Sequence, residues 1–349
     1  MAGGQSVSAN TLGSLFQIVS FGESHGHSMG VVIDGCPAGV VFDKDLLLAE
    51  LQRRRPGQSN TVSGRKESDL PKVLSGVFEG RTLGTPIAIV VKNKDAKSED
   101  YEDIKNQPRT GHADDTWRLK FGHSDHRGGG RSSGRETIAR VMAGAVAQMF
   151  LQSEMPGLEL SVFATQVGPY ELSEKEIAKF GKQMTSKSHL DNLPARFPYS
   201  DPAAVEKLLL GAKQEGKSYG GRVRIHMDGV PAGIGEPVFH KIKSELASVF
   251  MSLGAVAAVE LGDGVSASKA EGSEYHKSDQ GQYGGIRGGI STGERITLNC
   301  YFKPTSSVMD VAKKGRHDPC IVPRAIPVIE AMTYLVLADL ALKRRLNRA

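Results

Sequence analysis

Apolar residues alternate with polar ones in "FQIVSF" and in the middle of "SHGHSMGVVIDGCPAG" (24–39), which predicts two strands, and "VFDKDLLLAELQRRR" (41–55) then turns to helical spacing. The same succession returns in the second half. "SYGGRVRIHMDGVPAG" (218–233) repeats Ser-x-Gly and Asp-Gly-x-Pro-Ala-Gly at one constant offset, and "VFHKIKSELASVF" (238–250) again reads as a helix. A further pair, "GRTLGTPIAIVVKNK" from Gly80 and "GISTGERITLNCYFK" from Gly289, predicts a glycine turn feeding a β-branched strand, with Lys94 and Lys303 in equivalent places. Each half ends in an Arg/His/Gly loop and a long apolar helix, expected over 136–151 and 325–342. These matches imply a single domain over 1–349 built from pseudo-repeated halves, roughly 10–155 and 215–345, with a polar insertion at 171–216 expected as a surface excursion. Clustered antiparallel strands with helices between them favour an α+β fold.

Composition narrows the classes without choosing one. With 39% hydrophobic and 24% charged residues among 349, the chain is long enough to bury a sizeable core. The net charge of +5 is mild, and its arginines gather beside glycine and histidine rather than along a helical stripe, which suggests pockets for small anions. A nucleic-acid-binding module is disfavoured further by an aromatic content of 6%, too little for a stacking platform. Cys36, Cys300 and Cys320 show no paired spacing, so the reading is a reducing, cytoplasmic protein without a disulfide framework. The first residues lack the charged and apolar regions of a secretory signal, and Ala247–Leu261, taken as the most apolar run, is too short to span a bilayer. No membrane partner is expected.

"RGGGRSSGRE" (127–136) carries the densest chemistry. Ser133 and Glu136 fit a capping box, which would start an amphipathic helix through Ile138, Met142, Ala145 and Met149. Backbone N–H groups at that helix start, approachable glycines, and Arg127, Arg131 and Arg135 together suit a phosphate. The Lys-Ser/Thr ending of a nucleotide-binding P-loop is missing, which weakens the alternative of a nucleotide-dependent phosphoryl-transfer enzyme. His25, in the glycine-bounded turn "FGESHG", and His112, near Asp114 and Asp115, are acid/base candidates, though either could be structural. His123, Asp125 and His126 could chelate a metal, but Arg127 and Arg131 beside them would repel a cation, so no metal is expected. Arg53, Arg54 and Arg55 close the first helix, where they could complement its dipole or let one or two of them reach a ligand. "KPTSS" (303–307) and "KGRHDP" (314–319) repeat the cation and hydroxyl theme.

Taken together, "SFGESHG", "LQRRRPGQS", "SGVFEGRTLGTPI", "RTGHAD", "RGGGRSSGRET", "GVPAGIGEPVF", "GGIRGGISTG", "KPTSS" and "KGRHDPC" resemble the chorismate synthase family over nearly the whole chain. The resemblance implies a β-α-β sandwich of two antiparallel sheets around helices, a homotetramer, and the last shikimate-pathway step toward aromatic amino acids. In that step 5-enolpyruvylshikimate 3-phosphate loses phosphate and a C6 hydrogen by 1,4-anti elimination, with reduced FMN but no net redox change. By the same resemblance, His25 is the acid toward the leaving phosphate, His112 faces the flavin, and Asp318 is the carboxylate near flavin N5. Ser24, Arg54, Gly134, Arg135 and Arg316 would hold substrate. Arg131, Ser132, Ser133, Ala255, Gly288, Lys303, Pro304, Thr305, Ser306, Ser307 and again Arg316 would hold FMN. Asn60 and Gly254 depart from the family pattern at positions tied to NADP and flavin contact, and no reductase domain is apparent, so an external flavin reductant is expected.

Overall fold

In the computed structural model of the chain, residues 9–55, 69–93, 111–125, 127–182, 187–277, 281–306, 308–309 and 318–347 are described. The first half supplies strands β1 (Thr11–Leu12), β2 (Gln17–Phe21) and β3 (Ser28–Asp34), helix α1 (Lys44–Arg54), then β4 (Pro71–Val73), the small hairpin of β5 (Val77–Phe78) and β6 (Arg81–Thr82), and β7 (Ile87–Lys92). Helices α2 (Asp114–Phe121) and α3 (Thr137–Glu154) follow. The second half begins with β8 (Glu159–Val167) and β9 (Tyr170–Glu171), continues through helices α4 (Glu174–Lys182), α5 (Lys187–Asp191) and α6 (Pro202–Glu215), and reaches β10 (Gly221–Asp228). It closes with α7 (Ile242–Met251), β11 (Val256–Leu261), α8 (Gly272–Tyr275), the hairpin of β12 (Ile286–Arg287) and β13 (Ile290–Ser291), β14 (Ile296–Phe302) and α9 (Val322–Leu346).

Two five-stranded antiparallel sheets result, ordered β1-β2-β3-β7-β4 and β9-β8-β10-β14-β11. The orders correspond position by position, with a small hairpin, a flanking helix and a long apolar helix in each half. Alternation fixes which face each strand buries: Met29, Val31 and Ile33 of β3 and Val223, Ile225 and Met227 of β10 are fully enclosed. Helix α3 packs on the first sheet and α9 on the second, while α1 and α7 flank them. The helices thus form a layer between two sheets, an α+β sandwich.

The two central helices meet unusually closely. A Cβ added to Gly144 of α3 would lie 2.4 Å from Ala331 Cβ and 2.5 Å from its Cα, so only glycine permits this crossing. Both helices are apolar nearly all round, as helices inside a core must be. Helix α9 (Val322–Leu346) carries a longer apolar run than the 15-residue segment 247–261. It is long and apolar enough to cross a membrane, yet 94% of its most apolar 18-residue window is buried inside the protein, where its apolar surface is already used.

The insertion is more than a surface excursion. Its Ile177, Leu190, Phe197, Val205 and Leu209 join the core, and its charged side chains reach inward. Arg196 donates through Nη2 to Arg53 O at 2.8 Å and through Nε to Asp191 at 2.5 Å. Arg53 in turn pairs with Asp191, with Glu50 at 2.7 Å and with Glu330 of α9, and Lys187 bridges Glu50 and Glu330 at 3.0 Å each. These charges persist in a low-dielectric setting because each faces its opposite. The three cysteines are buried with free thiols, which burial pushes up, Cys36 to about 11 and Cys320 to about 12.

Asp339 of α9 ties the chain's first described turn to the core. Its Oδ1 accepts from the backbone N–H groups of Ser14, Leu15 and Phe16 at 2.9, 2.6 and 3.0 Å, and Lys343 Nζ approaches Oδ2 at 2.9 Å. Burial alone would push this carboxyl up, but Lys343 and the three amides outweigh it and hold it below the usual range. A depressed carboxyl stabilises the fold above its unfolded value and ceases to do so as pH falls through the lower folded value. Asp339→Ala is therefore expected to cost about 3 kcal/mol near neutrality and to lose part of the acid sensitivity shown by the unmodified protein below about pH 4. Urea denaturation across that pH range measures both.

Candidate active site

The N-terminal ends of α3 and α9 open on one cleft of about 900 Å³, and most of the residues singled out from the sequence line it. Arg54, His112, Arg131, Ser132, Ser133, Gly134, Arg135, Ala255, Lys303, Pro304, Thr305, Ser306 and Asp318 converge from segments far apart in the chain. Backbone and hydroxyl contacts hold the rim together. Lys303 N donates to Ala255 O at 2.9 Å, Ser218 Oγ to Thr305 O at 2.8 Å, and Thr305 Oγ1 to Asp318 O at 3.3 Å.

The glycine-rich loop enters α3 through two short 3-10 turns, Arg127–Ser132 and Gly134–Glu136. Ser133 caps the second turn, accepting from Arg135 N at 3.4 Å, so the expected capping box is only half made. Glu136 does not reach back because it pairs at 3.0 Å with Arg140, one helical turn on. Arg140 also donates to Ser252 Oγ at 2.5 Å and so joins the start of α3 to the turn before Ala255. Arg131 reaches Ser20 Oγ at 2.7 Å and Asn10 Oδ1 at 3.1 Å, which fixes the loop against β2. Arg127 instead closes on Asp125 at 2.8 Å, half-exposed, and is not among the cleft residues.

Of the three consecutive arginines ending α1, Arg54 alone lines the cleft; Arg53 belongs to the ion network with Glu330. Helical geometry separates their directions. Arg54 is buried, donating to Gly134 O at 2.9 Å and Thr137 Oγ1 at 3.1 Å, and burial with Arg324 nearby lowers it to about 10. Between Arg54 and Arg135 stands Asp69, at 3.5 and 3.0 Å respectively, with only 3% of its surface exposed. Burial pushes the Asp69 carboxyl up while Arg54, Arg324 and Arg55 oppose that rise. Asp69 also adopts a left-handed backbone, φ 42°, uncommon outside glycine and tolerated best by Asp and Asn. Asp318 is clasped by Arg324 Nη1 at 2.6 Å.

Sequence reasoning missed Asp69, Arg140 and Arg324. Only Asp69 left any local trace, an acidic residue just before a Leu-Pro pair that feeds a strand. Ser24 and His25, though buried, do not line the cleft; Ser24 N and Oγ approach Gly130 O and Arg127 O at 3.4 Å, so their turn backs onto the glycine loop. Gly288 lies in the turn between β12 and β13 and is not among the residues that line the cleft. Ser307, Arg316, His126 and Asn60 lie outside the described residues. Among those described, no group of three or more His, Cys, Asp or Glu side chains is placed to hold a metal.

The family model for chorismate synthase matches residues 16–342. A chorismate synthase of Bdellovibrio bacteriovorus is 58% identical over 95% of this chain and 97% of its own, and one of Methanopyrus kandleri is 42% identical over 96% and 93%. A solved structure described as the crystal structure of chorismate synthase superposes with a TM-score of 0.77 at 27% identity, covering 95% of this chain and 93% of that one. These matches replace the phosphoryl-transfer alternative, which the absent P-loop ending had already weakened. The chain belongs to the chorismate synthase family, lyases of the shikimate pathway.

Proposed function

We propose that this cleft eliminates phosphate from 5-enolpyruvylshikimate 3-phosphate with reduced FMN bound beside the substrate. The supporting observation is the convergence of Arg54, Arg135, His112 and Asp318 with the Ser132–Gly134 and Lys303–Ser306 segments around one cation-rich opening. The residues suit a flavin mononucleotide: Arg131, Ser132, Ser133 and Lys303 offer cations and hydroxyls to its phosphate, while Leu12, Ile18, Val328 and Met332 give apolar walls to a ring. A Cβ added to Gly134 would meet nothing within 4 Å, so the backbone there stays open to a ligand. Bound there, reduced FMN would supply transient electron density to the reaction without net redox change. The remaining work falls to the chain.

Arg54 and Arg135 bind the substrate's anionic groups, and the N-terminal turn of α3 adds its partial positive charge. By family resemblance His25, whose turn backs onto the glycine loop rather than lining the cleft, would protonate the phosphate oxygen as the C3–O bond breaks, and Asp318, oriented by Arg324, would receive the C6 proton. His112, which lines the cleft, would face the flavin by the same resemblance. Ser24, Gly288, Ser307 and Arg316 complete the binding set by family resemblance. The outer face of the first sheet carries Val19 and Phe21, each 39% exposed, beside Val32 and Val90, which supports assembly into the family's homotetramer. Free buried thiols support a cytoplasmic setting, and an external reductant would supply the reduced flavin.

Anaerobic protein with reduced FMN and the substrate is expected to release phosphate; failure to do so abandons the reading. FMN fluorescence should quench more strongly when substrate is present, as a shared pocket requires, and identical quenching with and without it argues against that pocket. His25→Ala and Asp318→Asn are each expected to lower kcat by about 100-fold, read as phosphate release. Asp69→Asn leaves two buried arginines without their shared counter-ion, so a loss of about 3 kcal/mol in chemical denaturation should accompany weaker substrate binding.

A further inference from the structure

Asn93 follows β7 near the end of the segment "GRTLGTPIAIVVKNK" and carries no role read from the sequence, yet its side chain is used at both ends. Nδ2 donates to Glu23 O at 3.1 Å and to Gly26 O at 2.8 Å, the carbonyls on either side of Ser24 and His25. Its backbone N–H donates to His27 O at 3.1 Å. On the other side, Oδ1 accepts from Arg135 Nε at 2.9 Å. Carbonyls only accept and a guanidinium only donates, so the amide can face one way alone. One side chain thereby joins the histidine turn to an arginine that lines the cleft. The described direct bonds between that turn and the glycine loop are long, 3.4 Å from both Ser24 N and Ser24 Oγ, whereas the bonds through Asn93 to Gly26 O and Arg135 Nε are 2.8 and 2.9 Å.

We propose that Asn93 is a positioning residue that fixes the His25 turn relative to Arg135, so that a proton donor and an anion-binding cation address the same phosphate. This rests on the reading of His25 and Arg135 given above. The chemistry requires an amide. Aspartate of the same shape would keep an acceptor for Arg135 but turn an oxygen toward the Glu23 and Gly26 carbonyls, releasing the histidine turn while retaining the arginine arm.

The two arms can therefore be separated kinetically. With saturating reduced FMN under anaerobic conditions, Asn93→Asp is expected to lower kcat by about 10- to 100-fold while KM for 5-enolpyruvylshikimate 3-phosphate stays within about threefold. In a His25→Ala background the same substitution should cost less than about threefold, because the group it positions is gone. A merely structural role would cost the same factor in both backgrounds, and that result overturns the proposal. So does an unchanged kcat for Asn93→Asp beside a severely impaired His25→Ala, which would leave the acid assignment standing. Full activity of His25→Ala overturns the acid assignment itself, and this proposal with it. Should the carboxylate prevent folding, Asn93→Ser carries the same double-variant comparison, with a raised KM expected because Arg135 loses its acceptor as well.

Discussion

The close side-by-side packing of α3 and α9 is the constraint on which the cleft depends. Gly144 lets the two backbones approach at Ala331, and Arg345 near the end of α9 pairs with Glu154 at the end of α3. The helices consequently run in the same direction, and both start at the cleft. Each brings the residues just before or within its first turns to that end: Ser133, Gly134, Arg135 and Thr137 from one, Asp318, Ile321 and Arg324 from the other. Two helix starts side by side place like partial charges together, an arrangement that an anionic ligand relieves.

Charge balance in the cleft follows from that arrangement. Arg54, Arg135 and Arg324 would repel one another if nothing lay between them, and burial makes the repulsion larger. Asp69 separates the first two and Asp318 holds the third, so the protein can keep its cations desolvated before any ligand arrives. The network of Arg53, Glu50, Lys187, Asp191, Arg196 and Glu330 sits one residue further back on α1. By anchoring Arg53 to α9 and to the insertion, it fixes the last turn that presents Arg54. Orientation of this cleft arginine is thus set by its neighbour's ion pairs as well as by its own.

Much of this was legible in the chain because it is local or repeated. Strands β3 and β10, helices α1 and α7 and the two apolar helices follow from periodicity and from the recurring Asp-Gly-x-Pro-Ala-Gly segment. The loop at 127–136 was recognisable because glycine, arginine and serine are concentrated there. Asp69, Arg140 and Arg324 left no comparable signal, since each is defined by what long-range folding places opposite it. The insertion misled for a related reason: its lysines and serines suggest solvent, while single residues such as Phe197 and Arg196 decide how it packs. The capping box failed where Arg140 competed for Glu136, a contest that spacing alone does not reveal.

The halves share a backbone plan but not their side-chain uses, and the divergence explains why one cleft serves both. Phe42 in the first "VF" pair is buried, and the next residue, Asp43, caps α1 by accepting from Asp45 N and Leu46 N at 2.9 Å. Phe239 in the second pair is 83% exposed, and Lys241 at the start of α7 provides no side-chain cap. Had both halves kept the same chemistry, a pseudo-twofold arrangement would place equivalent groups around its axis, with no distinction between proton donor and acceptor. Elimination across a ring needs unlike groups on its two sides. The first half carries Arg54, Asp69, His112 and the glycine loop, and the second carries Lys303, Asp318 and Arg324, so the parallel helices bring two different sets of functional groups to a common opening.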